Sequence, residues 1–148
     1  FSYAFSVGSL RKGELGMAKI FFTLEEAQGY INWLEEEFGA IQSLQNKINE
    51  LDEKTQKVES GISLNGGGSI GEQISNYSNE RDDIFRLVEE KIDSIHQRGI
   101  LVKSIEHALV DFPSILENRE IYLCWHGGED EILYWHEIDV GFSGRRPL

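Results

Sequence analysis

The sequence is short of cysteine, of positive charge and of long apolar runs, and each shortage excludes something. Its one cysteine, Cys124, rules out an internal disulfide, so the fold must rest on a packed core, which a chain of this length and apolar content can supply. Only 14 Lys and Arg stand against 26 Asp and Glu, a formal net charge of −12. Such a surface repels phosphate backbones and anionic lipid, so neither nucleic acid nor a membrane is expected as a partner. No apolar run approaches the roughly 20 residues a membrane span needs, and a cytoplasmic protein is the simplest reading. Methionine occurs once, at Met17, and the stretch before it, FSYAFSVGSLRKGELG, lacks the apolar core of a secretory signal. Residues 1–16 are expected to be a leader, a cloning remnant or a natural extension outside the fold, and residues 17–148 one domain.

From Thr23 a pattern emerges. Thr23 and Glu26 form a capping box, in which each side chain satisfies a backbone donor left free by the first helical turn. Apolar residues then recur at Leu24, Ala27, Ile31, Leu34, Phe38 and Ile41, and again at Leu44, Ile48, Leu51 and Val58, predicting a long amphipathic helix over 22–59. A second stripe through Ile70, Ile74, Tyr77, Arg81, Ile84, Val88, Ile92 and Ile95 predicts a helix over 72–98 closed by Gly99. The glycine-rich stretch 60–71 joins the two into an antiparallel, coiled-coil-like hairpin. Tyr30, Trp33, Phe85 and Leu87 widen the stripes far from that loop, so the wide ends should pack on whatever follows Gly99. There the period shortens: GILVKSI, LVDFP with its proline stop, then EIYLCWH and EILYWHEI around GGED, which read as strands and a β-hairpin. GFSGRRPL reads as an extended tail. The expected fold is α+β, a helical hairpin on a small antiparallel sheet.

Two of the three tryptophans, two of the four histidines and the cysteine crowd into the last 27 residues. Cys124, His126 and His136 are metal-ligand types, but a two- or four-residue turn sets Cys124 opposite Leu133 and sends His136 to the other face. An odd turn leaves His136 about 13 Å along the ladder at about 3.3 Å per residue. No metal, cofactor or catalytic residue is therefore assigned. His136 is expected on the core face with Ile121, Leu123, Trp125, Ile132, Tyr134 and Ile138, either as a ring held by a backbone or carboxylate partner or as a pocket-lining group. Cys124 is a poor nucleophile, with His126 about 7 Å away along the strand and acidic surroundings that raise its pKa. Gly66, Gly68 and Gly71 match a dinucleotide fingerprint without its preceding strand. Asp93 and His96 have the spacing of a metal-bundle motif but occur once. Arg119, Arg145 and Arg146 are three of only four basic residues after Gly99, against nine acidic ones; they pair internally, with Asp111 or Glu137, or rim an anion pocket.

The chain resembles a family of uncharacterised prokaryotic proteins, a domain of unknown function, through FTLEEA (Phe22–Ala27), VDFP (Val110–Pro113), NREIYLCW (Asn118–Trp125), Glu129, YWHE (Tyr134–Glu137) and GFSGRRPL (Gly141–Leu148). The resemblance implies a bacterial or archaeal source and no activity, and it directs attention to Asp111, Arg119, Trp125, Glu129, Trp135, His136, Gly141, Gly144, Arg145 and Pro147. Two functions are expected. One is a non-enzymatic interaction module, a homodimeric helical hairpin engaging a protein partner. The other is a small-molecule or anion binder, or a metal-dependent enzyme, built on His136, Arg145, Arg119 and Asp111, with Trp135 also at the ligand.

Overall fold

The computed structural model describes residues 19–61 and 69–148. The expected leader over 1–16 and most of the glycine-rich loop, with Gly66 and Gly68, lie outside the described residues. The fold is α+β, as the two periodicities imply. Three helices, α1 (Leu24–Gln28), α2 (Ile31–Glu59) and α3 (Ile70–Gln97), precede an antiparallel sheet of β1 (Leu101–Ser104), β2 (Leu109–Leu116), β3 (Arg119–Trp125), β4 (Tyr134–Glu137) and β5 (Arg146–Pro147), in that spatial order. The described chain divides into two compact units, one of residues 19–38 and 92–148, the other of residues 39–61 and 69–91. No described helix is long and apolar enough to cross a membrane.

The second unit is the helical hairpin proper. Ile48, Leu51 and Ile84 form its buried cluster, with Leu44, Tyr77 and Phe85 packed against them. Arg81 Nε donates to Asp52 Oδ1 at 2.8 Å across the pair.

In the first unit the capping box forms as expected: Glu26 N donates to Thr23 Oγ1, and Thr23 N donates to Glu26 Oε1. The bond from Thr23 N, with help from the Thr23 hydroxyl, holds the Glu26 carboxyl below its ordinary pKa. The single helix expected over 22–59 is instead interrupted at Gly29–Tyr30. Tyr30 meets Phe22 at 5.9 Å and Phe112 of β2 at 6.5 Å between ring centroids, and Gln28 Oε1 accepts from Ile132 N. The turn is thus fastened to β2 and to the loop between β3 and β4. Gly99 ends the α3 segment in the left-handed region, φ +86°, as its position predicted.

Pro113 does not stop β2, which runs on to Leu116. β1 reaches only as far as Asp111, and the Pro113 carbonyl accepts from Phe22 N on that open side. Because the N and O of one strand residue point the same way, the missing N–H costs no ladder bond to β3. Ser114 Oγ completes the closure by donating to Phe22 O at 2.6 Å.

The even-turn β3–β4 register is off by one residue; the odd-turn alternative has the parity right but set His136 too far along the ladder, since it lies two residues from the level of Cys124. Cys124 lies opposite Tyr134, not Leu133, and Tyr122 opposite His136. A single-residue slip transfers every side chain of a strand to the other face. Ile121, Leu123 and Trp125 therefore share their face with Trp135 and Glu137, while Tyr134 and His136 join Tyr122 and Cys124. The cause is the connection: residues 125–133, an odd number, separate the paired Cys124 and Tyr134, in a wide loop braced by Trp125 Nε1 donating to Glu129 O and His126 N donating to Glu129 Oε2. The tail also departs from expectation. Phe142–Gly144 form a 3-10 turn and Arg146–Pro147 pair with β4, giving the sheet a fifth strand.

Candidate functional site

On β2, Val110, Phe112 and Ser114 face the core side and Asp111 the other, since successive strand residues alternate. β3 sets Cys124 directly across from Asp111, and β4 sets His136 across from Tyr122, two residues along the same face. Three strands thereby converge three polar side chains on one point. Asp111, Cys124 and His136 are all buried, and their carboxylate, thiol and imidazole ligand atoms lie within 4.8 Å of one another.

His136 Nδ1 is 2.7 Å from the Glu137 carbonyl and Nε2 is 2.9 Å from Asp111 Oδ1. A carbonyl oxygen only accepts, so Nδ1 carries a proton. Nε2 then meets the Asp111 carboxyl in one of three ways: as a donor, through a lone pair with a cation between them, or through a lone pair that accepts from a protonated carboxyl. The second arrangement is the usual setting of a metal-bound histidine, whose other nitrogen is tied to a carbonyl or carboxylate. Cys124 donates its S–H toward Asp111, and its thiol is pushed up to about 12, chiefly by burial and then by the Asp111 charge. Burial thus favours the thiol over the thiolate. A divalent ion bound there would reverse that, because a coordinating thiol is deprotonated outright.

The trio forms the floor of a cavity of about 160 Å³. Lys103, Leu109 and Tyr122 line one part of it, and Ile138, Val140, Gly141 and Phe142, from the segment after β4, line the rest. The pairing of β1 slips between Val102 and Ser104, making Lys103 the extra residue of a bulge, a device that re-aims a side chain. Phe142 is held from behind by Arg145, whose guanidinium lies 4.1 Å from the Tyr134 ring centroid and 4.7 Å from that of Phe142. Arg145 Nη2 donates to Glu129 Oε1 and to the Cys124 carbonyl.

Of the five residues expected to bind ligand, the structure joins two at the cavity, Asp111 and His136. Arg145 buttresses the site from behind, as an internally paired arginine. Arg119 pairs with Glu137 at 3.0 Å, and Trp135 stacks beneath Arg146 at 5.4 Å; both belong to the opposite face of the sheet by register. His126, once grouped with Cys124 and His136, turns instead toward Glu129 and Phe142. His96 accepts from Val102 N at 3.3 Å, and burial lowers its pKa.

Sequence reasoning missed Cys124 as a partner of His136, and missed Lys103 and Tyr122. One signal was available: an aspartate inside the apolar run LVDFP must be paired when buried. No curated protein and no solved structure matches the chain. The family model described as uncharacterized conserved protein (DUF2203) matches residues 20–148, and the chain belongs to that family.

Proposed function

We propose that this protein binds a single divalent transition-metal ion of the zinc class through Asp111, Cys124 and His136, and uses it to hold or activate a small molecule in the adjoining cavity. The observation that carries the reading is the burial of three ligand atoms within 4.8 Å of one another, with the second nitrogen of His136 already bound to a carbonyl. Ligands about 2.0–2.3 Å from zinc stand roughly 3.3–3.6 Å apart at the tetrahedral angle. The carboxylate and imidazole must open slightly from 2.9 Å and the sulfur must settle between them. The charges support the same reading. One carboxylate and one thiolate neutralise a dication, so the loaded site costs far less to bury than any of its charges alone. Mixed thiolate, imidazole and carboxylate ligation suits zinc, and three protein ligands leave a fourth position for water or substrate, as in catalytic zinc sites. Such an ion acidifies a bound water or polarises a carbonyl.

Equilibrium dialysis of the full chain against Zn²⁺, followed by elemental analysis, tests this. One zinc per chain is expected, retained in Arg119→Ala and lost in Cys124→Ala and His136→Ala. Zinc absent from the natural protein, or retained by both of the latter variants, overturns it.

A second reading keeps the hairpin as a homodimeric interaction arm for a protein partner. It is favoured by Ile70 and Leu87, large apolar residues that stay exposed on the hairpin unit. Light scattering decides it: a monomer at high concentration removes the dimer.

A further inference from the structure

Two features of the cavity are left unused by the three ligands: a lysine and an apolar wall. Lys103, exposed on the β1 bulge, lines the cavity, with Nζ 5.7 Å from the Tyr122 ring centroid. Among the described lining residues it is the one lysine or arginine. Leu109, Ile138, Val140 and Phe142 supply the wall.

Charge and size then select a ligand. With a divalent ion on the Asp111 carboxylate, the Cys124 thiolate and neutral His136, the site carries no net charge, and Lys103 adds a single positive one. A monoanion balances it. A dianion leaves excess negative charge against an apolar wall, which is costly. The volume of about 160 Å³ is well below that of a drug-sized site. At about 30 Å³ per water-sized group it holds roughly five or six non-hydrogen atoms.

Resting on the metal reading above, we infer that the open coordination position takes a short-chain carboxylate, its head between the ion and Lys103 and its aliphatic chain against Leu109, Ile138 and Val140. The wall makes chain length matter: at about 0.8 kcal/mol per buried methylene, the two extra methylenes of butyrate over acetate give roughly ten-fold tighter binding.

The test uses the full chain loaded with Co²⁺, whose sulfur-to-cobalt charge-transfer band reports loading and whose visible ligand-field bands report the fourth ligand. Butyrate is expected to change the ligand-field bands saturably, with acetate roughly ten-fold weaker and neutral butanamide and inorganic phosphate without effect at matched concentration. Lys103→Met should keep its cobalt and lose roughly ten-fold in butyrate affinity, the loss of a charge-assisted contact. The inference is overturned if cobalt loads but butyrate leaves the bands unmoved, if phosphate or butanamide acts as strongly, or if Lys103→Met binds butyrate like the natural protein. Failure to load cobalt is a different result, read from the charge-transfer band, and overturns the metal reading together with this inference.

Discussion

Asp111→Ala isolates the energetics of the site from its ligand chemistry. In the presence of a chelator, Asp111 and His136 form a pair at 2.9 Å whose side chains are 4% and 3% exposed. Removing one member of a buried, hydrogen-bonded charge pair costs about 3–5 kcal/mol, because the survivor is left uncompensated in a low-dielectric setting. His136→Leu should cost a similar amount. Asp111→Asn keeps a carbonyl acceptor toward the site and should cost less, about 1–3 kcal/mol. The double variant Asp111→Val, His136→Leu removes both polar groups, so its cost should fall well below the sum of the single costs. Urea denaturation followed by tryptophan fluorescence is the appropriate assay. Trp33, Trp125 and Trp135 all belong to the unit that contains the sheet, so the signal reports that unit and not the hairpin. Single variants costing under about 1 kcal/mol each, with additive effects, would contradict a buried, coupled pair.

Other outcomes follow from the same geometry. Cys124 should resist iodoacetamide in the folded, metal-free protein at pH 8 and react promptly in urea, since its thiol is pushed from 9.0 up to about 12. The raised folded pKa means that its contribution to stability is complete below about pH 9 and is lost as the pH climbs toward 12. Urea midpoints measured across that window check the sign, and a rise in stability there would contradict it. Gly99→Ala meets both a φ of +86° and a contact of 2.8 Å to the Ile20 Cβ, whereas Gly128→Ala meets a φ of +101° in open space. The first should cost more than about 1 kcal/mol and the second less than the first; equal thermal shifts would refute the close approach. Arg145→Lys replaces a stacked fork by a point charge. It should lower stability by about 1–3 kcal/mol without removing zinc, as unfolding curves and metal content together would show.

The sequence disclosed elements more readily than registers. The capping box at Thr23, the stripes of α2 and α3 and the left-handed Gly99 are local features, governed by spacing within one helical turn, and each was legible. The Gly29–Tyr30 break was not, because it depends on the packing of Tyr30 against Phe22 and against Phe112 of β2, contacts that exist only in the folded unit. Pro113 looked like a strand terminator because the open flank of β2 and the donor at Phe22 are tertiary facts. The largest miss concerns the site. Gly127 and Gly128 suggested a tight turn, but Glu129 bonds inward to hold a wider loop, and the resulting one-residue slip carries His136 to the face of Cys124 and Asp111. Arg145 had the right neighbourhood, and of its two expected roles the geometry shows the internal pairing, with Glu129. Its contacts with Tyr134, Phe142 and Glu129 exist only after residues 141–148 fold back along β4.

The central claim is that Asp111, Cys124 and His136 share one metal ion, and X-ray absorption at the zinc edge of the zinc-loaded full chain addresses it most directly. The expected spectrum shows one sulfur at about 2.3 Å, one imidazole nitrogen among two or three light scatterers at about 2.0–2.1 Å, and no sulfur in Cys124→Ser. A shell of oxygen alone in the natural protein, matching hydrated zinc, would contradict the account.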